Sequence, residues 1–144
     1  MKYLVLPLFT MLCLTIACSV GPKSIDYGHV GCHYCSMTIV DKQHAAQLVT
    51  KKGKVFNFDA IECMMNHLKD EDQATLALFL VNDFDQPGEL VDATKTTYLI
   101  SENIPSPMGA FLSAFSNKKA AQYVLDSNGG KLYSWAEIKE RFKQ

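Results

Sequence analysis

Thiol and thioether side chains are concentrated in one short stretch of the sequence. Cys32, Cys35 and Met37 fall within six residues, with His29 and His33 close by. Thiolate and thioether donors together select Cu(I), because thioether sulfur is a poor ligand for zinc and for cations that prefer oxygen. If a strand begins at Cys35, period-two alternation also places Cys35 and Met37 on one face. The stretch therefore predicts a Cu(I) site.

Three other interpretations compete for the same residues. A thiol-disulfide oxidoreductase would use Cys32 and Cys35 before a helix, whereas the residues after Cys35, Ser-Met-Thr-Ile-Val, favour a strand. A zinc site would need two further ligands at ordinary spacing, and the sequence has no second paired Cys or His cluster. A plain disulfide between the two cysteines is the third alternative.

The acidic residues and methionines of segment 58–65 have ordinary structural explanations. Asp59 with Glu62 three residues later is a variant capping box, which predicts a helix start. Met64 and Met65 would fill the core from that helix, and Cys63 would be a buried thiol there.

One methionine of the second half lies on a turn. Met108 belongs to Pro105-Ser106-Pro107-Met108-Gly109, where proline and glycine stiffen the chain. It is a candidate distant ligand, although a turn methionine that simply packs fits the sequence equally well. His44 and His67 are isolated in the sequence and are predicted to be surface groups.

The N-terminal residues are typical of an export signal. Residues 1–17 carry one charge, Lys2, and an apolar run that is too short for a comfortable transmembrane helix. The run ends in Leu-Thr-Ile-Ala before Cys18, which is similar to the lipobox of bacterial lipoproteins, although Thr15 stands where that pattern prefers Leu. We expect an envelope protein with a lipid anchor at Cys18, and Ser19 favours the outer membrane. The alternative is an ordinary secretory leader in which Cys18 is only an apolar residue.

Composition limits the remaining possibilities. The 144 residues, 48% of them hydrophobic and 20% charged, suffice for one compact domain or two very small ones. The net charge is only -1, and no basic stripe is interleaved with aromatic residues, so nucleic acid is not an expected partner. Residues 18–31, with Gly21, Pro22 and Gly28, are predicted to be a lipid anchor and flexible tether. The folded part then holds three cysteines, an odd number that argues against a full disulfide framework.

The remaining patterns predict an α+β fold built from two small strand-strand-helix-strand units, at 32–88 and 89–144. Alternation and apolar runs predict strands, while capping residues and helical periodicity predict helices. Strands are expected at 37–40, 45–50, 54–58, 74–81, 89–93, 96–101, 111–115 and 131–133, and helices after Asp59, at 118–125 and after Ser134.

These clusters, in this order, resemble the NosL family, lipoprotein copper chaperones that support assembly of the copper centres of nitrous oxide reductase. The resemblance spans nearly all of the chain after the leader. It rests on the leader itself, Cys32-x-x-Cys35-x-Met37, Phe58-Asp59-x-x-Glu62, Pro107-Met108-Gly109, Ala114-Phe115, and Gly129-Gly130 before Trp135.

The resemblance implies two strand-strand-helix-strand domains, similar to part of organomercurial lyase, and no enzymatic activity. It implies that one Cu(I) is bound and passed on at the periplasmic face, to nitrous oxide reductase and its membrane-bound copper-site assembly machinery. Many relatives have Gly where this chain has Ser36, which affects the local turn and not the donor set. By resemblance the ligands are Cys35, Met37 and Met108, and the further candidates are His33, His29 and Cys32.

Overall fold

The computed structural model describes residues 20–143. The signal peptide predicted at residues 1–17 and the lipid attachment predicted at Cys18 therefore lie outside the described residues. Among residues 20–143, no helix is long and apolar enough to cross a membrane.

The first half of the chain forms a four-stranded antiparallel sheet with a helix inserted after its second strand. The sheet order is β2-β1-β3-β4, so β1 lies inside, between β2 and β3. Leu48 of β1 faces Phe56 on one side and Phe79 on the other, which extends the apolar surface across the sheet. The elements are β1 (Ala46–Thr50), β2 (Val55–Phe58), α1 (Ile61–His67), β3 (Leu76–Asp83) and β4 (Gln86–Asp92).

The second half repeats this plan in a three-stranded antiparallel sheet of order β6-β5-β7. In both sheets the earliest strand lies between its two successors, and a helix joins the second strand to the third. The α+β class and the strand-strand-helix-strand plan are thus confirmed. The elements are β5 (Thr97–Ile100), β6 (Leu112–Phe115), α2 (Lys118–Asn128), β7 (Lys131–Tyr133) and α3 (Trp135–Lys143).

Local sequence signals explain the second half well. Asn117 caps α2 by accepting a hydrogen bond from the Lys119 amide, and Gly129 ends the helix at a φ of 71°. The predicted capping box of α3 is present, because the Ser134 amide and hydroxyl both donate to Glu137. Ile138 of this helix is fully buried, as its apolar face predicts.

Two predicted strands differ from those observed. Residues 37–40 contain only an isolated bridge between Gly31 and Thr38, because no neighbouring strand supplies a ladder for the exposed Thr38 and Val40. The strand predicted at 89–93 is the end of β4, which pairs with β3 and therefore belongs to the first sheet. This strand crosses the expected boundary between residues 88 and 89.

The flexible tether predicted for residues 18–31 is wrong for its described part. Ile25 is 5% exposed and joins the hydrophobic core. The backbone amide of Lys23 donates to the Gln47 side chain at 2.9 Å, and that side chain donates back to the Lys23 carbonyl at 2.7 Å. The apolar residue within this polar stretch and the buried glutamine of β1 together hold the segment against the first sheet.

A set of polar contacts joins the two sheets. His44, just before β1, is 3% exposed and lies between Asp41 and Ser113 of β6, so its prediction as a surface group is wrong. The amide of Phe84 donates to the Ala114 carbonyl at 2.8 Å. These contacts hold β6 against the first half of the chain.

Candidate metal centre

The cysteine motif forms a compact turn fixed against the first sheet. The Cys32 amide donates to the Met37 carbonyl at 2.8 Å, and the Ser36 amide donates to the Cys32 carbonyl at 3.0 Å. Ser36 closes the turn in the left-handed region, at a φ of 65°. The His33 amide donates to the carbonyl of Asn57 in β2 at 2.8 Å. We name residues 32–37 the thiol loop.

The thiol loop is neither strand nor helix. The sequence argument that strand alternation aligns Cys35 with Met37 is therefore wrong, because the left-handed residue between them turns the chain. The loop also lacks the following helix whose N-terminus lowers thiol pKa values in Cys-x-x-Cys oxidoreductases.

Four donor residues converge here, two from the thiol loop and two from the segment that follows β2. The three cysteine sulfurs and a carboxylate oxygen of Asp59 all lie within 4.8 Å of one another. Cys32 and Asp59 are each 3% exposed, Cys63 is 0% exposed, and Cys35 is half-buried at the edge of the group. All three cysteines are free thiols. We name Cys32, Cys35, Cys63 and Asp59 the thiol cluster.

The sequence predicts only structural roles for two of these four residues, Asp59 and Cys63. Asp59 and Glu62 do not form a capping box: α1 begins at Ile61, and its N-cap is Ala60 with no side-chain hydrogen bond. Asp59 Oδ1 instead accepts from the Cys35 thiol at 3.4 Å. The odd number of cysteines after residue 31 was the signal for Cys63, but only folding of β2 and α1 brings it to the thiol loop.

The thiols differ in their ionisation because of their position. Hydrogen bonding with Cys63 lowers the pKa of the Cys32 thiol to about 6, although burial opposes this shift. Hydrogen bonding to Cys32 and burial raise the pKa of the Cys63 thiol. Burial is also the main reason why the pKa of Cys35 is raised. Cys32 is thus the first sulfur of the cluster to become a thiolate.

Both candidate methionine ligands are exposed to solvent. Met37 ends the thiol loop and is 53% exposed, and Met108 is 39% exposed on its turn. The turn is fastened to α1, because the buried Ser106 hydroxyl donates to Glu62, the neighbour of Cys63 in sequence. The Phe111 amide in turn donates to the Ser106 hydroxyl at 2.9 Å. Glu62 therefore ties the Met108 turn to the helix that carries Cys63.

The candidate histidines lie outside the thiol cluster. His29 is exposed and pairs with Asp26, at 3.1 Å from its Nδ1 to the carboxylate. His33 packs against Phe56, with ring centroids 4.5 Å apart, and against His67 at 5.1 Å. His67 is half-buried, so its prediction as a surface group is wrong. Its ring packs on two phenylalanines of β2.

Comparison with known proteins agrees with this fold. The NosL family model matches residues 22–142. The copper-binding lipoprotein NosL of Stutzerimonas stutzeri is 28% identical over 121 residues, which cover 78% of this chain. The match spans 64% of that protein's length.

A solved structure has the same architecture. The crystal structure of the copper chaperone NosL from Shewanella denitrificans aligns with a TM-score of 0.71 at 26% sequence identity. The alignment covers 83% of this chain and 96% of that chain. With a family model matching most of its length, the chain belongs to the NosL family.

Proposed function

We propose that this protein is a copper chaperone that carries Cu(I) and is not an enzyme. The observation that carries the proposal is the convergence of three free thiols, of which only one is partly exposed. The half-buried Cys35 lies within 4.8 Å of the buried thiols Cys32 and Cys63, and the thioether-bearing Met37, two residues along the chain, is exposed. The copper-binding and copper-chaperone names of the two relatives support the same cargo.

We assign the transferable ion to Cys35, Met37 and Met108. A thiolate with two thioethers is a donor set that suits Cu(I) and discriminates against zinc and hard cations. In the transfer step an acceptor sulfur forms a bond to the ion while one thioether bond breaks, and the copper keeps its oxidation state. Exposure of both methionines, at 53% and 39%, leaves room for the incoming ligand.

We place the protein in the cell envelope, lipid-anchored through Cys18 and facing the periplasm, with Ser19 favouring the outer membrane. The leader sequence and the lipoprotein name of the Stutzerimonas relative support this location. The proposed acceptors are nitrous oxide reductase and its membrane-bound copper-site assembly machinery, on the basis of the family resemblance.

The first test measures Cu(I) affinity of the full chain in detergent, under anaerobic conditions, by competition with a chromophoric Cu(I) chelator. We expect Cys35→Ser to weaken binding by at least about tenfold, and Met37→Ala and Met108→Ala each to weaken it measurably. Met65→Leu is the matched control, because Met65 is a buried core methionine and the substitution nearly conserves volume. Unchanged affinity in the Cys35 and Met37 variants would refute the assignment.

The second test measures delivery. Copper-loaded protein is mixed anaerobically with copper-free nitrous oxide reductase, alone and with membranes that contain its assembly machinery, and copper in the re-isolated reductase is quantified. We expect transfer from the unsubstituted chain and a clear loss with Met37→Ala. Equal copper uptake from free Cu(I) and from the loaded protein would contradict a chaperone role.

A further inference from the structure

We infer that Cys32 and Cys63 form a second, interior position for the copper ion, which shares Cys35 with the exposed position. This inference rests on the proposed function, because the same ion would occupy both positions in turn. The interior position retains the ion, and the exposed position releases it. The ion keeps its bond to Cys35 while its bonds to the thioethers break and bonds to the two buried sulfurs form, and the protons of these thiols pass to solvent.

The spacing of the sulfurs suits a single ion. With metal-sulfur bonds of about 2.3 Å, three sulfurs in a trigonal plane lie about 4.0 Å apart. All donor atoms of the thiol cluster already lie within 4.8 Å of one another. Changes of a few tenths of an ångström in side-chain position would close the site, so neither the sheet nor α1 needs to move.

Burial separates the two positions. Cys32 and Cys63 belong to the hydrophobic core, at 3% and 0% exposure, whereas Met37 is 53% exposed. Chelators and water have no direct path to the buried sulfurs, and Cys35 is the only member of the cluster that is partly open to solvent. An ion held by the buried pair is therefore protected from ligand exchange until it returns to the outer donors.

The fourth member of the thiol cluster, Asp59, is a buried carboxylate. Asp59 is 3% exposed, and none of its contacts among residues 20–143 is an ion pair with lysine, arginine or histidine. The thiols release their protons to solvent as they bind the ion. Asp59 accepts a hydrogen bond from the Cys35 thiol, so it already orients the shared ligand.

The decisive experiment isolates the interior position by removing the outer thioethers. The full chain with Met37→Ala and Met108→Ala is loaded anaerobically with one equivalent of Cu(I), and copper loss to a chelator is followed over time. We expect residual binding of one ion with sulfur-only coordination in X-ray absorption. Adding Cys63→Ala or Cys32→Ala should accelerate copper loss by at least about tenfold.

One measurement uses the unsubstituted chain, so it does not depend on whether the variants fold. Cu(I) bound to the unsubstituted chain should show a sulfur shell that contains more than one thiolate. Thermal unfolding of the metal-free Cys32→Ala and Cys63→Ala proteins identifies variants that fail to fold, and only folded variants enter the kinetic comparison.

The outcomes separate this inference from the proposed function. If Cys32→Ala and Cys63→Ala leave the rate of copper loss unchanged while Cys35→Ser weakens binding, the interior position is refuted and the chaperone assignment stands. If one equivalent of Zn²⁺ displaces Cu(I) from the chain lacking both outer methionines, the cluster is a zinc site and the inference is wrong. If Cys35→Ser leaves Cu(I) affinity intact, the proposed function itself fails.

Discussion

At the scale of single residues, Ser36 is the conformationally strained position of the thiol loop. Its φ of 65° lies in the left-handed region, which costs a non-glycine residue on the order of 1 kcal/mol or more. The amide of Ser36 closes the loop on the Cys32 carbonyl, so the strain sits between Cys35 and Met37. The resemblance had pointed to this residue as a departure from the family's usual Gly.

We predict that Ser36→Gly stabilises the metal-free protein by about 0.5 kcal/mol, because relief of strain exceeds the entropy that glycine adds to the unfolded chain. The measurement is the free energy of unfolding from denaturant titration. Thr38→Gly is the control in the same segment, where φ is not positive, and it should destabilise by about 0.5–1 kcal/mol. Equal losses in both variants would contradict the prediction.

Asp59 and Glu62 show how a residue pattern can mislead. Their spacing fits a capping box, and a helix does begin nearby, at Ile61. The two carboxylates instead accept hydrogen bonds from Cys35 and Ser106, which are distant in sequence. These remote donors are invisible to rules that consider only neighbouring residues.

At the scale of elements, the close approach between the α2–β7 turn and β5 constrains one glycine strongly. A Cβ on Gly130 would lie 2.2 Å from the Ile100 carbonyl oxygen, and the φ of Gly130 is 112°. The preceding Gly129 also has a positive φ, of 71°, but a Cβ there would meet no atom within 4 Å. Substitutions at the two glycines therefore distinguish the cost of a steric clash from the cost of an unfavourable backbone conformation.

We predict that Gly130→Ala destabilises the fold by about 3 kcal/mol, because backbone must move or β5 and β7 must separate. Gly129→Ala should cost about 1 kcal/mol from conformation alone. Both values come from the unfolding free energy measured by denaturant titration. Similar losses for the two substitutions would show that the turn absorbs the clash without disturbing β5.

Prediction of elements succeeded where the signal was local. The capping residues of α2 and α3 and the apolar strands β1, β5 and β7 depend on neighbours a few residues away. The strand predicted at 37–40 failed because strand formation needs a partner, and Gly31 offers only one bridge. For the same reason β4 belongs to the first sheet, because its pairing partner is β3.

At the scale of the whole molecule, the two sheets are linked by a buried polar chain. His44 Nδ1 lies 2.8 Å from Asp41 Oδ2, and its Nε2 lies 3.1 Å from the hydroxyl of Ser113. Burial raises the pKa of Asp41, but hydrogen bonds from the His44 side chain and from the Gln43 and His44 amides outweigh burial and lower it. The ionised form of Asp41 is therefore favoured in the folded protein.

We predict that the hydrogen bonds of Asp41 and His44 contribute to stability above about pH 3.9, the pKa of an unfolded aspartate. This contribution is lost as the pH falls through the lower pKa of Asp41 in the folded protein. Asp41→Asn should cost about 1 kcal/mol near pH 6, and the difference should shrink as pH falls below about 3.9. The measurement is unfolding free energy between pH 3 and 6.

Ser113→Ala is the companion variant for this link. It removes the partner at the other end of His44 without removing a titratable group, so it should lower stability without flattening the acid limb of the pH curve. A constant difference between Asp41→Asn and the unsubstituted chain at every pH would contradict the role given to the Asp41 carboxylate.

The sequence by itself determined the soft-donor chemistry, the α+β class, the order of most elements and the family. These depend on residue types, periodicity and motif order, all of which are local or ordered along the chain. Only the tertiary structure decided that Cys63 and Asp59 join Cys32 and Cys35, because β2 and α1 must fold under the thiol loop to bring them within 4.8 Å. It also decided which donors face solvent, since burial is a property of the packed molecule and not of the motif.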